Sequence, residues 1–130
     1  MRAIDTDVLV RLIARDDARQ VAAAEAFVAP GAWISHLVLA ETLWVLESVY
    51  RRGAREIAAA VEMLLDSGKI AIQEPAVVTA ALTTFREFPS AGFSDCLILE
   101  TARKHGHLPL GTFDRALAKQ ADVERLTERR

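Results

Sequence analysis

The distribution of apolar and polar residues along the chain predicts short strands that alternate with longer helices. The strand-like stretches are β-prone, and the stretches between them carry apolar residues at three- and four-residue spacing. The predicted strands are MRAID, AWISH, KIAIQE and LPLGTF. The predicted helices are TDVLVRLIARDD, RQVAAAEAFVA, LVLAETLWVLESVYRRG, AREIAAAVEMLLDSG, AVVTAALTTFREF, SDCLILETARKHG and DRALAKQADVERL. This order predicts an α/β domain with a central, mainly parallel sheet and helices on both of its faces.

Glycine and proline residues mark the ends of these elements. Gly53 and Gly106 follow helical stretches, where glycine is a favourable C-terminal cap. No repeat, low-complexity tract or linker divides the chain, so we expect a single domain over residues 1–130. The last residues, ERLTERR, are expected to form a solvated tail.

Composition narrows the class of protein. The chain has 130 residues, of which 52% are hydrophobic and 26% charged, so a folded domain is expected and disorder is not. One cysteine, Cys96, excludes an internal disulfide and suits a reducing cytoplasm. No apolar run reaches the roughly 18 residues needed to span a bilayer, and the first residues lack a signal-peptide pattern, so no membrane partner is expected. The net charge of −2 argues against nucleic-acid binding by bulk electrostatics, but it is compatible with a local basic surface and a metal.

Four acidic residues fall where predicted strands give way to helices. Asp5 ends the first strand, Glu41 follows the second, Asp95 begins a helix, and Asp114 follows the last strand. Ligands of parallel sheets bind beyond the carboxyl ends of the strands, so the four carboxylates are expected at one edge. Clustered carboxylates repel one another unless a counter-charge is present, and a hard divalent cation would supply it.

Each acid also has a simpler explanation. Asp5, Asp95 and Asp114 could cap helix N-termini, where side-chain oxygens bind free amides and the helix dipole favours negative charge. Glu41 lies in a helix that is apolar on nearly all sides, so burial beside a partner or cation is expected, although a surface position is the alternative.

Four motifs in this order resemble the PIN-domain endoribonucleases, and within them the VapC-type toxins of bacterial toxin–antitoxin pairs. They are IDTDVLV, ISHLVLAETLWVL, FSDCLILETARKHG and LGTFDRALAK, and the resemblance covers residues 1 to about 117. It implies a Rossmann-like α/β/α sandwich and an Mg²⁺ or Mn²⁺ site with an acidic quartet at Asp5, Glu41, Asp95 and Asp114.

Further roles follow from the same resemblance. It makes Asp5 and Asp95 the expected direct metal ligands and gives Thr6 and Thr112 supporting positions. It also implies RNA cleavage, a homodimer and inhibition by a cognate antitoxin. Asp7 departs from the family, which usually has asparagine there; it either binds a second metal or replaces an amide hydrogen bond at the helix start.

The sequence is also compatible with two other functions. The DTD sequence after a strand is similar to haloacid-dehalogenase-type phosphatases, in which one aspartate is a nucleophile, although those usually continue with Gly-Thr. A degenerate PIN fold that serves only protein contacts is the non-enzymatic alternative.

Two groups of cations could contact RNA phosphates. Arg51, Arg52 and Arg55 follow the third predicted helix, and Arg103 and Lys104 end a later one. The simpler explanation is that cations are favourable near helix C-termini without any ligand.

Overall fold

The computed structural model describes residues 1–128, so part of the predicted tail, Arg129 and Arg130, lies outside the described residues. Five strands and six α-helices alternate along this part of the chain. They are β1 (Arg2–Ala3), α1 (Thr6–Ala14), α2 (Ala18–Val28), β2 (Ala32–Ile34), α3 (His36–Ser48), α4 (Ala54–Asp66), β3 (Ile70–Ile72), α5 (Pro75–Glu87), α6 (Phe93–His105), β4 (Leu110–Thr112) and β5 (Val123–Arg125). Short 3₁₀ turns occupy Pro89–Ala91 and Leu117–Lys119. The predicted α/β class is confirmed.

The chain forms two compact units, Met1–Pro75 and a second one that begins at Ala76. In the first unit, β1, β2 and β3 form a parallel sheet in that order. Helix α1 packs against α2 and α3. The most deeply buried large side chains of this unit are Leu9, Ile34, Leu39, Leu43, Leu46, Ile57 and Val61.

Polar caps set the starts of three helices in this unit. The carboxylate of Asp17 accepts a hydrogen bond from the Gln20 amide at the start of α2. The hydroxyl of Ser35 accepts one from the Val38 amide at the start of α3. Asp5 caps α1 by accepting a hydrogen bond from the amide of the next residue, Thr6, so α1, α2 and α3 each begin at a capped residue.

In the second unit, β4 and β5 form a separate parallel pair, with Leu110 opposite Val123. Phe85 of α5 meets Phe93 of α6 edge to face, with ring centroids 5.8 Å apart. Both rings are buried, which suits this arrangement of aromatic quadrupoles. All strand pairs within residues 1–128 are parallel, as the sequence predicted.

The prediction of a last helix over DRALAKQADVERL is wrong. Only the 3₁₀ turn Leu117–Lys119 forms there, and the chain then enters β5. Asp122 takes the left-handed conformation at φ 67°, which ends helical geometry. Glu124 and Arg125 also belong to this strand, so the solvated tail begins later than predicted.

Two predictions about α3 are also wrong. The helix ends at Ser48, and Gly53 is instead the residue that precedes α4. The helix is also less buried than its composition indicates, because Leu37 and Trp44 are 67% and 66% exposed, with Glu41 exposed between them. These three residues follow four- and three-residue spacing, so they share one solvent-facing side.

Candidate active site

Asp5 lies immediately after β1 and begins α1. The preceding residue, Ile4, is buried, and its amide donates to the Trp33 carbonyl of β2 at 3.1 Å. The Asp5 Oδ1 atom accepts a hydrogen bond of 2.7 Å from the Thr6 amide, so the capping role is present. The residue itself is exposed, as is Asp7. Neither charge is therefore buried away from water.

Glu41 is brought to Asp5 and Thr6 by the packing of α1 against α3. The Thr6 hydroxyl donates to the Glu41 Oε2 atom at 3.0 Å, across 35 residues of sequence. Asp5, Thr6, Asp7 and Glu41 line one open cleft of about 480 Å³. The first unit thus places three of the predicted site carboxylates and one supporting hydroxyl on a common surface.

Asp95 and Asp114 form a second acidic pair, in the second unit. Asp95 is half-buried in the first turn of α6. Burial raises the pKa of the Asp95 carboxyl, and the charge on Asp114 raises it further. The two side chains are therefore close enough to repel each other.

Two hydrogen bonds between side chains and backbone amides fix the position of Asp114. The Thr112 hydroxyl accepts a hydrogen bond from the Asp114 amide, and Asp114 Oδ2 accepts one from the Leu117 amide, both at 3.0 Å. Asp114 therefore caps a 3₁₀ turn, not the helix predicted there. The Thr112 hydroxyl therefore fixes the backbone at Asp114, and its supporting role in a metal site stays a prediction.

The donor set fits a hard divalent cation. Within residues 1–128, none of the five carboxylates at Asp5, Asp7, Glu41, Asp95 and Asp114 takes part in an ion pair. Carboxylate oxygens are the ligands that Mg²⁺ prefers. In the same part of the chain, no group of three or more histidine, cysteine or acidic side chains is spaced to hold a metal ion. The fit therefore rests on the chemistry of the donors, which are two pairs of carboxylates without a cationic partner within residues 1–128.

One feature of the cleft was not predicted from the sequence. Arg11 and Tyr50 line it beside the acids, and Asp16 joins them. The Tyr50 hydroxyl donates to Asp16 Oδ2 at 2.6 Å, while Arg11 Nη1 lies 3.1 Å from both Asp16 Oδ1 and the Tyr50 oxygen. The Arg11 Nε group also donates to Gln20. Tyr50 lies 34 residues from Asp16 and 39 from Arg11, too far along the chain for a local pattern to connect them.

Cys96 is buried next to Asp95 in α6. Burial, together with the smaller effects of the charges on Asp95 and Glu100, raises the pKa of its thiol to about 11. A thiol in this state is a poor nucleophile. Cys96 is therefore a small packing residue of α6.

Comparison with known proteins yields one match. No curated protein and no solved structure matches the chain. None of the helices within residues 1–128 has the length and apolar character needed to cross a bilayer. The model of the PIN domain matches residues 3–123, and PIN domains are generally nucleases that use divalent metal ions. Because this match spans most of the chain, the protein belongs to the PIN-domain family.

Proposed function

We propose that the chain is an Mg²⁺- or Mn²⁺-dependent endoribonuclease that acts as the toxin of a bacterial toxin–antitoxin pair. The observation that carries the proposal is the presence of two acidic pairs, Asp5 with Glu41 and Asp95 with Asp114, in a chain of the PIN-domain family. Both pairs lack a cationic partner within residues 1–128. A metal-dependent nuclease requires carboxylates in this state.

In this proposal Asp5 and Asp95 hold the cation directly, and Glu41 and Asp114 complete its shell through water. A bound divalent cation lowers the pKa of a water molecule and neutralises the phosphate charge. The protein's own part is to orient the carboxylates. Asp5 uses Oδ1 to cap α1, and its Oδ2 atom makes no hydrogen bond within residues 1–128. Glu41 uses Oε2 to accept the Thr6 hydroxyl, so its rotation is restricted.

Asp7 occupies the position where the family usually has asparagine. It lies in the first turn of α1, where negative charge is favourable, and lines the same cleft as Asp5 and Glu41. We assign it a supporting role at the helix start.

The test is RNA cleavage by Asp5→Asn and Asp95→Asn variants with Mg²⁺, with Mn²⁺ and with EDTA. Asparagine caps a helix as well as aspartate does, so Asp5→Asn keeps the fold of α1 while removing the charge. Each variant is expected to lose cleavage by about a hundredfold or more, because a metal ligand is lost. Asp66→Asn, an exposed position at the end of α4, is the matched control and should retain full activity.

Cleavage that survives EDTA, or that either variant retains in full, would contradict the proposal. A wild-type protein that neither cleaves RNA nor gains thermal stability from Mg²⁺ would instead be a PIN fold used only for protein contacts.

As a toxin, the chain would have two protein partners besides its RNA substrate: a cognate antitoxin and a second copy of the chain. The exposed Leu37 and Trp44 side chains, on the same side of α3, support a protein partner, since exposed apolar surface of this kind marks interaction sites. Expression of the wild-type chain is expected to arrest bacterial growth, and expression of Asp5→Asn is not.

We expect the purified chain to be a homodimer, which light scattering coupled to gel filtration would measure. Leu37→Ser combined with Trp44→Ser should convert it to a monomer, because both exposed apolar side chains are removed. A dimer that persists in this variant would place the interface elsewhere, and a monomeric wild-type protein would contradict the expectation of a homodimer.

A further inference from the structure

We propose that residues 50–55, which run from the loop after α3 into the first turn of α4, bind the phosphates of the RNA strand where it leaves the acidic cleft. This inference rests on the proposed ribonuclease function and extends it to a specific binding surface. We call these residues the arginine loop, because Arg51, Arg52 and Arg55 lie in it.

The arginine loop begins inside the cleft. Tyr50 lines the cleft together with Asp5, Asp7 and Glu41, and the three arginines follow in the next five residues. Hydrogen bonds to Asp16 and Arg11 hold the Tyr50 hydroxyl, so the start of the loop has a fixed position. An aromatic ring next to cations is the combination that single-stranded nucleic-acid surfaces use.

Arg51 occupies a backbone position that disfavours it. Its φ of 55° lies in the left-handed region, where an L-residue is strained by about 1–2 kcal/mol relative to the ordinary helical region and glycine is not. The following amide, of Arg52, donates to the Leu46 carbonyl and completes the end of α3. Local stability therefore does not explain an arginine at this position.

Arg55 is also unfavourable for its own helix. It lies in the first turn of α4, where the helix dipole disfavours positive charge. The simpler explanation, that these cations stabilise a helix C-terminus, therefore fails for Arg55. Arg51 and Arg55 thus lie at positions where the backbone conformation and the helix dipole, respectively, disfavour arginine.

The charges of the arginine loop are available to a ligand. Within residues 1–128, none of the three arginines forms an ion pair. The nearby acids are engaged elsewhere, since Glu56 accepts from the Gly53 amide and Asp16 pairs with Arg11. In the second predicted group of cations, Arg103 differs because it forms ion pairs with Glu100 and Asp122. The arginine loop thus provides a local basic surface, which is compatible with the net charge of −2.

The test measures binding of a fluorescent, mixed-sequence single-stranded RNA of twelve nucleotides across a series of salt concentrations. The parent protein carries Asp5→Asn, so the RNA is bound but not cut. Arg51→Gly with Arg55→Gln removes two cations, and the glycine suits the left-handed position. The control, Arg19→Gln with Lys69→Gln, removes two exposed cations elsewhere in the same unit.

We expect the loop variant to bind RNA about tenfold or more weakly at 0.1 M salt, with a salt slope lower by about 1.4, because each phosphate contact to a single strand contributes about 0.7. The control should match the parent in affinity and in unfolding temperature, and the loop variant should unfold at the parent's temperature or above it, because glycine relieves the strain at position 51. In the active background the loop substitutions should raise KM and leave kcat unchanged.

Equal affinity and equal salt slope in the loop variant and the parent would overturn the inference, as would a parent that does not bind RNA at all. In either case the arginine loop would be assigned to an acidic protein partner. This result differs from failure of the proposed function, which is measured separately as the absence of RNA cleavage by the wild-type chain.

Discussion

At the scale of single residues, the cleft in the first unit contains one strong polar network, formed by Asp16, Tyr50 and Arg11. The hydrogen bond from Tyr50 lowers the pKa of the Asp16 carboxyl, and Arg11 lowers it further against the opposing effect of burial. The same hydrogen bond raises the pKa of Tyr50. The network joins the loop after α1 to the loop after α3, and so it fixes Arg11 and Tyr50, which line the cleft.

This network predicts a pH dependence of stability. Since the pKa of Asp16 is lower in the folded chain than in the unfolded chain, ionised Asp16 stabilises the fold at neutral pH. That contribution is lost as the pH falls below the ordinary aspartate value of 3.8 and through the lower, folded value. Asp16→Asn should therefore be less stable than wild type at pH 7, and the difference should shrink towards pH 3.

Urea unfolding at pH 7, 5 and 3 would measure the difference, with Asp66→Asn as a control that removes one exposed carboxylate. An Asp16→Asn variant whose deficit is the same at all three pH values would show that the charge of Asp16 does not contribute.

At the scale of elements, the sequence predicted where helices stop better than it predicted what stops them. Gly106 was correctly predicted as the C-terminal cap of α6, because glycine is suited to the left-handed position that it occupies at φ 74°. Gly53 was wrongly given the same role for α3. A glycine indicates that a helix is interrupted, but not whether it ends the helix before it or precedes the helix after it. The left-handed residue after α3 is instead Arg51.

Strand β5 was missed for a different reason. Its three residues have no strand signal of their own, and their apolar spacing continues that of a helix. The strand exists because Val123 pairs with Leu110 of β4, and a long-range contact of this kind cannot be inferred from local periodicity. The same limit applies to the candidate site. The acidic residues could be identified from their places at element boundaries, whereas the Tyr50 network depends on packing between distant segments.

Gly106 offers a test of the helix-cap argument. Gly106→Ala should lower the free energy of unfolding by about 1 kcal/mol, since alanine is strained at positive φ. No atom lies within 4 Å of the added methyl group, so backbone strain is the only expected cost. Gly68→Ala, where φ is not positive and the space is also open, should change stability by only a few tenths of a kcal/mol. Chemical unfolding would measure both, and a loss of equal size in the two variants would contradict the assignment.

At the scale of the whole molecule, the proposed function requires residues from both compact units. Asp5 and Glu41 belong to Met1–Pro75, whereas Asp95 and Asp114 belong to the unit that begins at Ala76. The family model spans residues 3–123 and so includes all four positions. A cation bound by the native carboxylates would stabilise the folded chain, because it binds the folded and not the unfolded state.

This requirement can be tested by combining substitutions. Mg²⁺ at about a hundred times its dissociation constant should raise the stability of the wild-type chain by about 2.7 kcal/mol. If Asp5 and Asp95 hold the same ion, then Asp5→Asn, Asp95→Asn and the double variant should each lose nearly all of this gain, because losing either ligand abolishes the site. If the two units bound ions independently, each single variant would keep the gain from the other site and only the double variant would lose both. Thermal unfolding with and without Mg²⁺ distinguishes the two cases, because non-additive losses occur only between residues that share an interaction.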